Sequence, residues 1–438
     1  MRWRPIKFLC LLGGLMATSA GVKAQNDSLF LSLPQLFERG SREHLRLAAD
    51  RLKEEIALEK ARTARTARLP EMTVGLKGGY LGQPIVWQHG LSDPTRPESP
   101  DWQQSYAFDF SQPVYQGGRI RYAIRQADLA QELAVLQTAA DQADIKLALL
   151  EQYLDLFSLY KQCRVLQRNI EESEQRLRNI RRLCEEGVIT NNDVLRSEMQ
   201  LTDNRLSLSE TQNNIRLVSQ QLDILLGLDE SLLLVPDTTL LSQDCPVATY
   251  SEYVDRAYEA EPSMLLLQKQ TEMARNQIRL TQAEQMPRLS LYASNTLARP
   301  ITRTMADLYN NSWNVGLTFT YSLSSLYQNR HRLNEARQQV SLLQNTTDQT
   351  RQQIRMTVQK ALLKHREALD RVEALKLSVR QAEENYRIMN NRYLNQLAIL
   401  TDLLDADNLR LNAELQLTTA RTRVLYTYYE LQRVTGNL

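Results

Sequence analysis

The sequence predicts a mainly α fold with a β-barrel portion. One unit is built twice, giving long coiled-coil helical hairpins plus four transmembrane β-strands per chain. A numbering shift of 209 places Phe110 on Phe319, Arg121 on Arg330, Asp193 on Asp402, Leu206 on Leu415 and Gly227 on Gly436 without a gap, which marks an internal duplication. Heptad-spaced apolar residues run further than a compact domain accommodates. Four short segments alternate apolar and polar residues with the period of a strand.

In chain order, residues 1–24 carry a basic start (Arg2, Arg4, Lys7), an apolar run from Phe8 to Met16 and the small-residue site Val22-Lys23-Ala24. They read as a secretory signal, with the mature chain starting at Gln25. The first repeat covers 25–227. It opens with a helix from Ser32 to about Leu69, capped by Ser32 with Gln35, with Gly40 marking an expected break and Pro70 ending it. Strands are expected at about 71–80 and 102–112. In the first, Met72, Val74, Leu76 and Tyr80 oppose Glu71, Thr73 and Lys77; in the second, Trp102, Tyr106, Phe108 and Phe110 oppose Gln103, Ser105, Asp109 and Ser111.

A helix over 119–185 follows, about 100 Å long. It turns at a tip hairpin (186–195) and returns only about half as far. The helix before Pro70 is the natural partner for the uncovered upper half. An equatorial linker (228–248) leads to the second repeat, 249–438, whose cap Thr249 with Glu252 and whose Pro287 match Ser32 and Pro70 at a shift of 217. Its strands are expected at about 288–298 and 312–323 and its tip hairpin at 395–405. Its seam runs through Leu333, Ala336, Val340, Leu343 and Thr347, then Ala368, Val372, Leu375, Val379, Ala382, Tyr386, Met389 and Tyr393.

No apolar run long enough for a transmembrane helix lies beyond the signal, so any span must be β. A soluble half-buried hairpin would also alternate, but four such strands behind a signal favour a barrel. Four strands cannot close one, and open edges do not survive in lipid, so the chain must oligomerise; three copies supply twelve strands.

With 53 Lys and Arg against 51 Asp and Glu, the net charge of +2 gives no electrostatic reason to expect a nucleic acid partner. His44, His89, His331 and His365 form no metal-binding pair, and no phosphate loop or nucleophile motif occurs, so neither enzyme activity nor a cofactor is expected. Cys163 and Cys184 would sit about 31 Å apart on one helix, too far to bridge; with Cys245 they read as structural thiols.

The segments RLPEMTV (68–74), SQPVYQGGR (111–119), EGVITNNDVL (186–195), QMPRLSL (285–291) and LTDLLDA (400–406), in this order within the repeat, resemble the TolC-type outer-membrane efflux proteins over essentially all of the mature sequence. The resemblance implies a homotrimer in the cell outer membrane, with a 12-stranded barrel among lipid and a 12-helix tunnel in the periplasm. It also implies a periplasmic adaptor and an inner-membrane pump of the resistance-nodulation-division or ABC type as partners. The function implied is the passive exit duct of a tripartite efflux pump or type I secretion system; a secreted coiled-coil structural or adhesive protein is the alternative. By resemblance Asp402 and Asp405 form the pore constriction, where the plain alternative is a solvated helix face, and Tyr393 with Asp193 forms the closed-state latch. Ala398 stands where some members have an arginine, and Gln396 where many have a tip glycine. The tips (Gly187, Val188, Ile189, Thr190, Leu397, Ala398 and Ile399) are the expected adaptor-docking surface, with Val188, Ile189, Leu397 and Ile399 as its exposed apolar contacts.

Overall fold

The structure, a computed structural model, describes residues 28–96, 100–237, 247–300 and 307–438. The expected signal segment and Cys245 lie outside them. Strand β1 (Ser28–Leu31) precedes helices α1 (Leu33–Glu43) and α2 (Leu45–Thr66); β2 (Glu71–Tyr80), a small hairpin β3 (Val86–His89) and β4 (Ser92–Thr95), and β5 (Trp102–Tyr115) then lead to α3 (Arg119–Glu185), which returns as α4 (Asn191–Leu226). After β6 (Leu233–Pro236) the plan repeats as α5 (Tyr250–Ala260), α6 (Pro262–Ala283), β7 (Arg288–Arg299), β8 (Asn310–Thr320), α7 (Ser324–Leu394) and α8 (Leu400–Val434).

These elements form three tiers, each four elements wide. The strand tier has the order β2-β5-β7-β8, all antiparallel. Its register gathers the apolar residues on one face: Met72 opposes Phe110, Val74 opposes Phe108, Leu76 opposes Tyr106 and Tyr80 opposes Trp102. Tyr106 continues to Leu297, and Leu289 and Leu291 oppose Phe319 and Leu317. A one-residue slip would scatter this band over both faces. Val74, Leu76, Trp313, Leu317 and Phe319 on it are 64% to 75% exposed, and among the described residues the outer strands β2 and β8 each leave an edge unpaired.

The upper helical tier is α2-α3-α6-α7 and the lower one α4-α3-α8-α7, with α3 and α7 spanning both. The helix before Pro70 therefore covers the upper half of α3, as its length requires, and α6 does the same in the second repeat. Every expected seam residue of α7 is buried or half-buried. At both ends of each tier apolar residues face outward: Leu45, Leu52 and Ile56 on α2, Leu195, Met199, Leu206, Leu217 and Ile224 on α4, and Leu342, Met356, Leu363 and Leu377 on α7.

At the waist, β1 pairs in parallel with β6, and Tyr153 of α3 locks the pair by donating to the Leu31 carbonyl at 2.6 Å and accepting from the Asp237 amide at 2.8 Å. The linker from Gly227 to Pro246 reads as a small mixed belt around the waist, but its strand pairing does not show in the sequence, because four-residue strands carry too short a pattern to register. The break in the first helix falls at His44, whose ring accepts from the Arg46 amide at 3.2 Å, and not at Gly40. Gly40 stays helical because α1 presses on α3 there: a Cβ would lie 2.2 Å from Leu149 Cδ1. The matching break in the second repeat is at Glu261, before Pro262. Strand β8 ends at Thr320, where its ladder with β7 ends, and the loop after β2 holds the β3–β4 hairpin. Among the described residues no helix is long and apolar enough to cross a membrane.

Candidate functional site at the helical tips

The two tips are built alike. At the first, α3 ends when Gly187 takes a left-handed φ of 74°, letting the Gly187 amide reach the Cys184 carbonyl (3.0 Å) and the Val188 amide the Leu183 carbonyl (2.9 Å), a Schellman closure. The second tip has the same pair, Gln396 to Tyr393 at 3.0 Å and Leu397 to Arg392 at 2.8 Å. The following helices start differently. Thr190 caps α4 in a capping box with Asp193, whose Oδ2 accepts from the Thr190 amide at 3.2 Å and hydroxyl at 2.9 Å. Ile399 holds the equivalent place before α8 and supplies no side-chain cap. Asp402, the repeat counterpart of Asp193, is therefore exposed in the first turn of α8, with Asp405 exposed one turn later.

The tips lie side by side over one small core of Ile170, Leu177, Ile180, Val194, Leu201 and Leu400. Val188, Leu397 and Ile399 are 45%, 69% and 66% exposed. Ile189 is not: it packs half-buried on that core, because the turn after Gly187 points Val188 outward and the next residue in. Ala398 is half-buried, and Gly187 and Thr190 are exposed. The Tyr393 hydroxyl is buried and has no hydrogen-bond partner among the described residues. Burial and then the Asp193 charge push its pKa up, with Arg176 opposing. The two expected latch residues are thus neighbours within the chain without a hydrogen bond between them, since the Asp193 oxygen facing Thr190 serves as the cap.

Above this core lies a polar network that sequence reasoning missed. Asp407, 2% exposed on α8, binds Arg176 of α3 at 2.6 Å and Arg410 one turn along at 2.9 Å, and Arg410 also binds Glu172. A circuit of amides closes it: Asn408 donates to Gln200 (3.4 Å), Gln200 to Asn204 (3.2 Å), Asn204 to Asn169 (2.7 Å), and Asn169 to Asp407 (3.3 Å). Both guanidiniums lie over the ring of Tyr386 on α7, at 4.1 Å for Arg410 and 5.7 Å for Arg176. All four lower helices meet here. The readable signal was Asp407 at a seam spacing from Leu400 and Leu403, where an apolar residue is the norm.

Among the described residues no group of three or more His, Cys, Asp or Glu is placed to hold a metal ion. The family model described as Outer membrane efflux protein matches residues 40–228 and 253–437. The chain belongs to the outer membrane efflux protein family. Membership brings the outer membrane, efflux and transport with it, and channels rather than enzymes. Among solved structures, this outer membrane efflux protein resembles the outer-membrane channel OprN (18% identity, TM-score 0.75, covering 93% of this chain and 90% of that one). It also resembles CusC (14%, TM-score 0.78, 94% of each) and the open state of MtrE from Neisseria gonorrhoeae (17%, TM-score 0.73, 92% and 88%). At such identities these likenesses establish the fold. No curated protein sequence matches the chain.

Proposed function

We propose that three copies form the passive exit duct of a tripartite efflux pump or type I secretion system. The supporting observation is that each tier is an arc of four elements with unpartnered ends: unpaired edges on β2 and β8, and outward apolar stripes on α2, α4 and α7. Open strand edges are untenable in lipid, and placing copies edge to edge satisfies them and the helical stripes together. The apolar face of the strands then meets outer-membrane lipid, and the helices continue the bore through the periplasm. A passive duct has no cargo chemistry of its own, so the pump, of the resistance-nodulation-division or ABC type, selects what passes.

In this reading the tips dock a periplasmic adaptor through Val188, Leu397 and Ile399, which offer apolar contact at the end farthest from the strands. Asp402, left free by the missing cap at Ile399, and Asp405, one turn further along α8, ring the entrance. Tyr393 latches the closed state by bonding Asp193, which exchanges its Thr190 contact for the phenol at a net cost of about 1 kcal/mol or less.

The test is membrane fractionation with native mass measurement and planar-bilayer recording of the purified chain. A trimer in the outer membrane that conducts ions supports the reading; a soluble periplasmic monomer ends it. Val188→Asp with Leu397→Asp should then abolish efflux while trimers persist, and normal transport by that variant would remove the tips from the docking surface.

A further inference from the structure

His365 sits in the middle of α7 with none of its surface exposed. Its Nδ1 lies 3.0 Å from the Thr427 hydroxyl of α8. That hydroxyl also lies 3.0 Å from each of the Arg423 and Val424 carbonyls; with its one proton directed there, the imidazole is the donor and carries its hydrogen on Nδ1. Nε2 is then a bare lone pair, buried and, among the described residues, without a hydrogen-bond partner. The other group facing the ring is Tyr428, also of α8, at 6.0 Å between centroids. Lys364, Arg366 and Glu367 on α7 and Arg423 and Glu430 on α8 are its nearest charged neighbours in sequence. None of them shifts it; burial alone holds its pKa below the ordinary value, against the Val424 carbonyl.

The duplication supplies an internal control. Subtracting 209 from His365 and Thr427 gives Leu156 and Val218, and Leu156 is likewise wholly buried. The first repeat fills this level with an apolar pair, so the fold does not need a histidine here. The position is also a junction: the waist core of Tyr253, Val254 and Ala257 against Ile354, Val358 and Leu362 stops one turn short of it. Below it α7 and α8 run as a two-helix coil for roughly 44 Å to the second tip.

We propose that His365 is a proton-operated catch in the α7–α8 coil: protonation at Nε2 puts a charge without an acceptor into the dry interface and loosens α8 from α7 below the waist. An unpaired buried charge is among the costliest groups a core can hold, and separating the helices to admit water relieves it. The loosening concerns one chain and needs no pore; that it widens the entrance rests on the function proposed above.

The test is distance measurement between spin labels at Glu383 on α7 and Leu409 on α8, both exposed, in the full-length protein in nanodiscs, from about pH 7.5 to about pH 5, on either side of the ordinary imidazole value. The parent should shift to longer, broader distances on acidification. His365→Leu, which copies Leu156, should hold one distance throughout. His365→Asn, which keeps a donor for Thr427 and cannot take up the proton, should do the same if the leucine variant folds poorly. A parent distance that ignores pH, or variants that shift as the parent does, overturns the catch. Either result leaves the duct untouched, because conductance at neutral pH tests that separately.

Discussion

Gln396 holds at the second tip the left-handed backbone that Gly187 holds at the first, with φ of 60° and 74°. A side chain in that region costs about 1–2 kcal/mol, part of which the looser unfolded chain of a glycine variant takes back. Gln396→Gly should therefore stabilise the protein by roughly 0.5–1 kcal/mol, and Gly187→Gln should destabilise it by about as much. Denaturant midpoints of the two variants check this. Equal midpoints would show that the second tip absorbs the strain elsewhere.

Asp407→Asn leaves Arg410 with Glu172 and takes from buried Arg176 the carboxylate it pairs with. Removing one partner from such a site costs about 3–5 kcal/mol. The exposed pair Arg181 and Glu198, at 2.7 Å, is the comparison, since Arg181→Ala should cost no more than about 1 kcal/mol. Chemical unfolding followed by helical circular dichroism measures both. If the two losses match, the buried network does not hold the lower helices together.

In a trimer Asp402 and Asp405 place six carboxylates around one opening, where they favour cations. Replacing both by alanine should abolish cation preference and block by trivalent cations together, read from reversal potentials in planar bilayers. A double variant that keeps the parent's selectivity puts the constriction elsewhere.

Asp223, with no exposed surface and, among the described residues, neither oxygen hydrogen-bonded, has its pKa pushed up to about 6 by burial and then by Asp229. Its folded value lies above the unfolded one, so the penalty is absent below the ordinary carboxylate range, grows as pH rises through about 6 and is complete above it. Asp223→Asn should stabilise the protein by about 1–2 kcal/mol at about pH 8, the full shift being discounted for solvent screening, and by almost nothing at about pH 3. Thermal melts at the two pH values test it, and a pH-independent difference would mean the carboxyl is solvated.

The long helices, the four alternating strands and the two tips were determined by the sequence alone, because helix and strand periods, caps and turn residues act over a few neighbours. The duplication added their order, and length added that α2 and α6 must cover what α4 and α8 cannot reach. Only the tertiary structure decided which equivalent residues differ in burial. Glu198 and Asp407 match across the repeat, yet one stays half-exposed and the other is sealed between two arginines, because their helices face different neighbours. Asp193 and Asp402 also match, and a single hydroxyl, present at Thr190 and missing at Ile399, ties up the first and frees the second. His365 and Leu156 share one seam position with opposite chemistry. Burial and hydrogen bonding are settled by what the opposing helix presents, and a pattern along one chain does not contain that information.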